Sequence, residues 1–262
     1  MILNTFSVFN GIGQKLEKKL WREGVLTWNH FLDREDLPFI NPARKRLLDF
    51  SVSSAYSHLA EGDADYFSDA IKKNEHWRLY DTFRHDAVCL DIETNGFPPD
   101  RGGYVTAVGL YNGSDYKCFI RGNNLSADIL NRELSQYKYL ITFYGTVFDV
   151  PFLQSCMRGL NLHMPHFDLC FGAKRLGLKG GLKKIEPHFG IQRNEEVLGM
   201  DGYSAVLLWN EARKGNSRSL ELLMLYNRED TVNLYDMSGI IYKELKASTG
   251  IEEFIGEYAV TM

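Results

Sequence analysis

Through the first 84 residues, apolar side chains recur three and four positions apart, with no alternating run that reads as a strand. Leu16 and Leu20 follow a Gly11-Ile12-Gly13 turn, and Thr27 is placed to cap a short helix carrying Phe31 and Leu32. Asn41-Pro42 opens a longer helix through Leu47, Leu48, Val52 and Leu59, and a further helix around Trp77 and Phe83 ends near His85-Asp86. At Ala87 the pattern changes. Ala87-Val88-Cys89-Leu90-Asp91-Ile92 predicts a central strand, with Glu93-Thr94-Asn95-Gly96 as the turn after it. Tyr104 to Tyr111 and Asp115 to Ile120 flank Asn112-Gly113, whose ease at positive φ signals a hairpin. A helix near Ala127 to Leu134, a strand from Tyr139 to Phe143, a helix after Asp149, a short strand near Phe167 to Cys170 and a helical stretch from Leu220 to Leu245 follow. The series predicts an α/β fold with a mixed sheet, because the hairpin is antiparallel while crossovers through helices favour parallel pairing.

Three segments emerge: a helical N-terminal region over 1–84, a sheet-bearing domain over 85–246 and a C-terminal tail over 247–262. The 262 residues are enough for a substantial core, and 44% hydrophobic with 24% charged residues is the balance of a globular chain. No run of about 18 apolar residues and no basic leader is visible, so a soluble, cytoplasmic protein is expected. Cys89, Cys118, Cys156 and Cys170 form no C-x-x-C pair, which argues for reduced thiols over a zinc or disulfide frame. A formal charge of −4 would repel a polyanion. That objection weakens if carboxylates hold divalent cations, since a loaded site offsets the charge.

Asp91 and Glu93 stand two residues apart, so a strand puts both on one face about 6 to 7 Å apart, within reach of a shared metal ion. Alternating acids are also common on surface strands, but these end an apolar run, where unpaired negative charge is costly. Asp149 sits where a strand leads through Phe148 into a helix, and it reads equally as an acid complementing the helix dipole. Tyr226 and Asp230 share one helix face at i, i+4, a placement that also suits a solvated surface. Phosphodiester cleavage needs such acids: two cations about 3.5 to 4 Å apart activate water and stabilise the departing oxygen, and hard cations take oxygen ligands. A tyrosine one turn from a metal-binding aspartate orients water better than it deprotonates it, its phenol pKa being about 10.

Asp91-Ile92-Glu93, Phe148-Asp149 and Tyr226-x-x-x-Asp230 resemble the three exonuclease motifs of the DnaQ-like superfamily in its DEDDy branch, with Leu225 where the DEDDh branch carries histidine. With Leu182-Lys183-Lys184-Ile185-Glu186 added, the pattern is similar to the YprB-like group. The resemblance covers about residues 85 to 246. It implies a ribonuclease H-like five-stranded mixed sheet and 3′-to-5′ exonuclease activity on single-stranded DNA or RNA. It also implies a pair of Mg²⁺ or Mn²⁺ ions: Asp91 bridges both, Glu93 and Asp230 complete the tighter site, Asp149 holds the second ion and Tyr226 positions the nucleophile. Relatives often have Asn shortly before the Gly of the second motif, where this chain has Tyr144 before Gly145.

Substrate contacts are expected from Thr94 and Asn95 in the turn, from Tyr144 and Phe148 as stacking aromatics and from Lys183. Phe97 is a further aromatic beside the acids, and Lys174, Arg175, Lys179, Lys183 and Lys184 read either as a phosphate rail or as a solvated charge run. Gly11-Ile12-Gly13 before a lysine-rich helix resembles a helix-hairpin-helix turn, though a plain helix entry reads as well. His163 and His166 with Asp168 lack a third nitrogen or sulfur ligand and read as structural, Asp168 as a group supporting the acids. Two rivals stand beside the exonuclease: a nucleic-acid-binding module without catalysis, and an endonuclease on RNA–DNA hybrids.

Overall fold

The computed structural model describes residues 1–260. A 3-10 turn at Ile2–Asn4 leads into α1 (Gln14–Arg22), α2 (Trp28–Leu32), α3 (Pro42–Ala60) and α4 (Ala64–Ala70). Thr27 and Asn41 cap α2 and α3 as expected, accepting from the backbone N–H groups of His30 and Arg44. The stretch around Trp77 is a 3-10 segment, Lys73–Leu79, before the short α5 (Tyr80–Phe83). A helix-hairpin-helix needs a helix on each side of its turn, and only three residues of 3-10 turn precede Gly11.

The sheet consists of β1 (Ala87–Thr94), β2 (Val105–Tyr111), β3 (Tyr116–Ile120), β4 (Tyr139–Thr142) and β5 (His166–Asp168), in the order β3-β2-β1-β4-β5. β1 is antiparallel to β2 and parallel to β4, and β5 is parallel to β4, so the sheet is mixed as the connection lengths require. The hairpin closes at Asn112-Gly113 with Gly113 at φ +98°. Two strand ends differ from the sequence expectation by two residues, the others by at most one. Glu93 and Thr94 belong to β1 and not to a turn, because they pair with Ala107 and Val105 across a bulge. Leu169 and Cys170 belong to a helix, because Asp168 ends β5 and its side chain caps the next element by accepting from Cys170 N–H.

The helices after the hairpin are α6 (Ala127–Leu134), α7 (Asp149–Cys156), α8 (Leu169–Arg175), α9 (Leu182–Ile185), α10 (Gly202–Ala212), α11 (Ser217–Ser248) and α12 (Ile251–Val260). Val88, Leu90 and Ile92 of β1 pack with Leu130, Leu134, Phe152 and Leu153 on one face of the sheet. Cys89, Tyr139, Ile141 and Phe167 face the other way, into a core continuous with Met237 and Ile241 of α11 and with Phe6, Trp21 and Trp28 near the N-terminus. Tyr80 joins these parts, its ring 6.4 Å from Tyr139, 6.1 Å from Phe167 and 5.0 Å from Tyr242. The first 84 residues therefore share their core with the sheet. The expected C-terminal tail is largely helical: Ile251 is buried and the Phe254 ring lies 6.2 Å from Trp21, while residues 261–262 lie outside the described residues. Among the described residues no helix is long and apolar enough to cross a membrane.

Candidate active site

Period-two alternation sends Ala87, Cys89, Asp91 and Glu93 to the face of the sheet that α11 covers. α11 is a 32-residue helix with buried positions at Leu223, Tyr226, Asn227, Asp230, Thr231 and Leu234, the spacing of one helical stripe. That stripe brings Asp230 to β1: ligand oxygens of Asp91, Glu93 and Asp230 lie within 4.8 Å of one another, the group suited to a metal ion among the described residues. Asp149, the first residue of α7, lies outside this closest trio but against the same strand, where its Oδ1 accepts from Ile92 N–H at 3.1 Å.

The carboxyls are costly without a counter-charge. Burial first, then mutual repulsion with Asp230 and the other acids, raises Asp91 and Glu93 well above the usual carboxylate range. Burial also raises Asp230 and pushes Asp149 up to about 7, although the Ile92 N–H favours the Asp149 anion. Closely spaced buried carboxylates, offering only oxygen, fit a hard divalent cation. Tyr226 is raised as well, by burial and then by Asp230 and Glu93, so it remains a neutral phenol.

Three neighbours hold the acids in place. Lys183 donates to the Tyr226 hydroxyl at 2.5 Å, stands 4.4 Å over its ring and lies 3.6 Å from Asp230. Arg193, which has no motif around it, pairs with Asp230 Oδ1 at 2.5 Å and grips Glu186 with two bonds of 2.6 Å. Burial alone would lower its pKa, and Glu186 and Asp230 more than offset this. Asn227, fully buried, donates to Asp91 Oδ2 at 2.8 Å and accepts from the Tyr116 hydroxyl at 2.8 Å. Its approach depends on Gly109, the residue paired with Asp91 on β2, where a Cβ would stand 2.3 Å from Asn227 Oδ1. An asparagine inside a helix between two site residues was a usable signal, since Asn is a weak helix former. Arg193 lies in an irregular segment that offered none.

Asp168 fixes the loop before Asp149: Oδ1 accepts from Tyr144 N–H at 2.8 Å and Oδ2 from Thr146 N–H at 2.9 Å. Tyr144 takes φ +65°, a left-handed conformation that suits Asn better than Tyr. Thr94, Phe97, Val147, Phe148 and Tyr203 line a groove of about 700 Å³ beside the acids, with Phe97 and Phe148 exposed. Asn95 does not join them: its side chain donates to Gly102 O and accepts from Tyr104 N–H, tying down the loop of residues 96–104. His163 lies beside Asp69 at the surface and His166 contacts Thr142, so neither forms a metal group with Asp168. The lysine-rich stretch divides, Lys183 going to the acids and Lys174 and Arg175 to a different groove.

A mixed sheet whose central strand and last long helix converge on a carboxylate cluster defines the ribonuclease H-like class. A family model described as the RNase H superfamily matches residues 88–242, and the chain belongs to that superfamily. No curated protein matches it. Similar solved structures include one titled as an apo form of the nuclease, 17% identical, with a TM-score of 0.47 and coverage of 72% of this chain and 84% of that one. Brucella melitensis NrnC with bound Mg²⁺ is 18% identical (TM-score 0.45, 69% and 83% covered) and NrnC bound to pGG is 17% identical (TM-score 0.46, 69% and 83% covered).

Proposed function

We propose that the chain is a metal-dependent 3′-to-5′ exonuclease acting on single-stranded ends of DNA or RNA, of the DnaQ-like DEDDy type and its YprB-like group. The observation that carries this reading is the convergence of Asp91, Glu93 and Asp230, with Asp149 of α7 bonded to the Ile92 N–H of the same strand, next to a groove walled by Phe97 and Phe148. Asp91, Glu93, Asp149 and Asp230 would hold two Mg²⁺ or Mn²⁺ ions, which when bound supply the charge that activates water and stabilises the departing oxygen. Lys183 donates to the Tyr226 oxygen, leaving the phenol hydrogen to hold the attacking water in line. Thr94, Phe97 and Phe148 form the wall against which the terminal base stacks.

The test is a set of single-stranded DNA and RNA oligomers, labelled at the 5′ end, incubated with Mg²⁺ or Mn²⁺. Wild type should shorten them one nucleotide at a time from the 3′ end, leave a circular strand intact and stop in chelator. Asp91→Asn and Asp230→Asn should be inert while melting cooperatively. Cleavage by Asp91→Asn equal to wild type refutes the reading, cuts in the circle indicate an endonuclease, and binding without turnover indicates a non-catalytic module.

A further inference from the structure

A second groove, of about 860 Å³, runs along the outer edge of β5, and the catalytic reading leaves it unused. One end lies at the loop that seats Asp149. Thr146 and Asp168 line the groove, and their backbone-to-carboxylate bond is what fixes this loop. Val147 and Phe148, the next residues, face the aromatic groove beside Thr94. The loop is thus a saddle with a groove on either side.

Tyr144 sits on that saddle, 47% exposed, and its ring centroid is 6.3 Å from Phe171, 39% exposed on α8. Phe171 lines the β5-edge groove, and beyond it come Lys174 on α8 and Lys73 on the facing 3-10 segment. Both lysines are exposed, and neither forms an ion pair among the described residues. Arg175 differs, being fixed to the wall by Asn74 O at 2.9 Å and Glu75 at 2.6 Å. The groove's acids are already engaged: both Asp168 oxygens accept backbone N–H bonds, and Asp69 meets His163 at 3.1 Å. Exposed rings followed by unpaired cations, in an open groove that ends at the loop before Asp149, match a flexible polyanion with stackable faces.

We propose that this groove is the track for the 5′-ward part of a single-stranded polynucleotide whose 3′ end lies at the acids. The inference rests on the exonuclease reading and deepens it. Bases pass over Tyr144 and Phe171, phosphates reach Lys174 and Lys73, and a dinucleotide is too short to reach the lysines. The substrate class is a strand of several nucleotides.

The test measures fluorescence anisotropy of a dinucleotide and of DNA and RNA strands of about eight nucleotides. It uses the full chain in the catalytically silent Asp91→Asn background, with and without Lys73→Gln and Lys174→Gln together. The background should bind the longer strands at least about tenfold more tightly than the dinucleotide, and the lysine changes should remove most of that preference. They should also reduce the log–log salt slope for the longer strands by about 1.4, the value for losing contacts to two phosphates of a single strand. Loss with RNA alone or DNA alone names which polymer uses the track. If the lysine variant keeps the full length preference and salt slope, the track is wrong while the exonuclease reading stands. If wild type neither binds nor cleaves any strand, both fall. The substituted side chains are exposed, so a cooperative melt equal to the background is expected and confirms that binding is being compared between folded chains.

Discussion

Asn227 and Tyr144 give the residue-scale tests. Asn227 joins the acid strand to the long helix through one amide, which donates to Asp91 and accepts from Tyr116. Asn227→Ala removes the donor to Asp91 and leaves the Tyr116 hydroxyl with Met224 O alone, and about 1–3 kcal/mol of stability should be lost in chemical denaturation. Divalent-ion affinity by calorimetry should fall about 10- to 100-fold, the usual effect of removing a group that orients a ligand. Unchanged affinity would mean that Asp91 needs no such support. Tyr144 is the opposite case, a residue held against its backbone preference at φ +65°. Tyr144→Asn should raise stability by up to about 1 kcal/mol, because Asn tolerates the left-handed region, while weakening strand binding through the lost ring. A less stable variant would show that ring contacts outweigh backbone strain there.

At the scale of elements, β4, β5 and the 3-10 segment beside them are joined by imidazoles. His166 N–H donates to His76 Nδ1 at 3.0 Å, and its ring meets Thr142 Oγ1 at 2.7 Å. Burial pushes the His166 imidazole down to about 4. Between that value and the ordinary one near 6.5, the unfolded chain binds a proton that the folded chain refuses. Stability contributed by His166 should therefore be complete above about pH 6.5 and drain away as pH falls towards 4. Thermal melts of wild type and His166→Gln across this window check it: the wild-type melting temperature should fall more steeply, and parallel curves would remove His166 from the account.

The elements also explain which parts of the site were legible. Asp91 and Glu93 could be read as a pair because period two is a local property of a strand, and Tyr226 and Asp230 because i, i+4 is a local property of a helix. The caps at Thr27 and Asn41 and the Asn112-Gly113 hairpin were local in the same way. Arg193 was not, since it reaches Asp230 from an irregular segment whose course depends on its double bond to Glu186. The end of β5 was misread because Leu169 and Cys170 are apolar in either conformation, and only the capping bond to Asp168 decides for helix. Asn95 looked available beside the acids, yet the loop returning at Tyr104 claims both ends of its amide.

At the scale of the molecule, charge and packing each make a demand. Asp149, raised to about 7, lets the metal-free folded chain hold a proton that the unfolded chain releases above about pH 4. Its effect is to lower stability as pH rises from about 4 to 7, and a bound cation should cancel the loss by favouring the anion. Mg²⁺ should consequently raise the melting temperature more at pH 8 than at pH 5. An equal rise at both would count against a cation at these acids. Packing sets the second demand. Tyr139, Ile141 and Phe167 are covered by the same core that holds Phe6, Trp21 and Trp28. A chain beginning at residue 85 should thus lack a cooperative melt and aggregate, because large apolar faces would meet water. A soluble, cooperatively melting 85–262 would show that the sheet needs no such cover.

α11 carries Tyr226, Asn227 and Asp230 near the acids and, further along the same unbroken 32 residues, Ser238, Ile241 and Tyr242 against the N-terminal cover. Each residue of a helix turns the next by about 100°. Removing or adding one between Asp230 and Ser238 would rotate one end's contacts away from their partners, so this stretch should admit exchanges of side chain but not of length. Insertions and deletions accumulated over descent should collect instead in the turns on either side of α10.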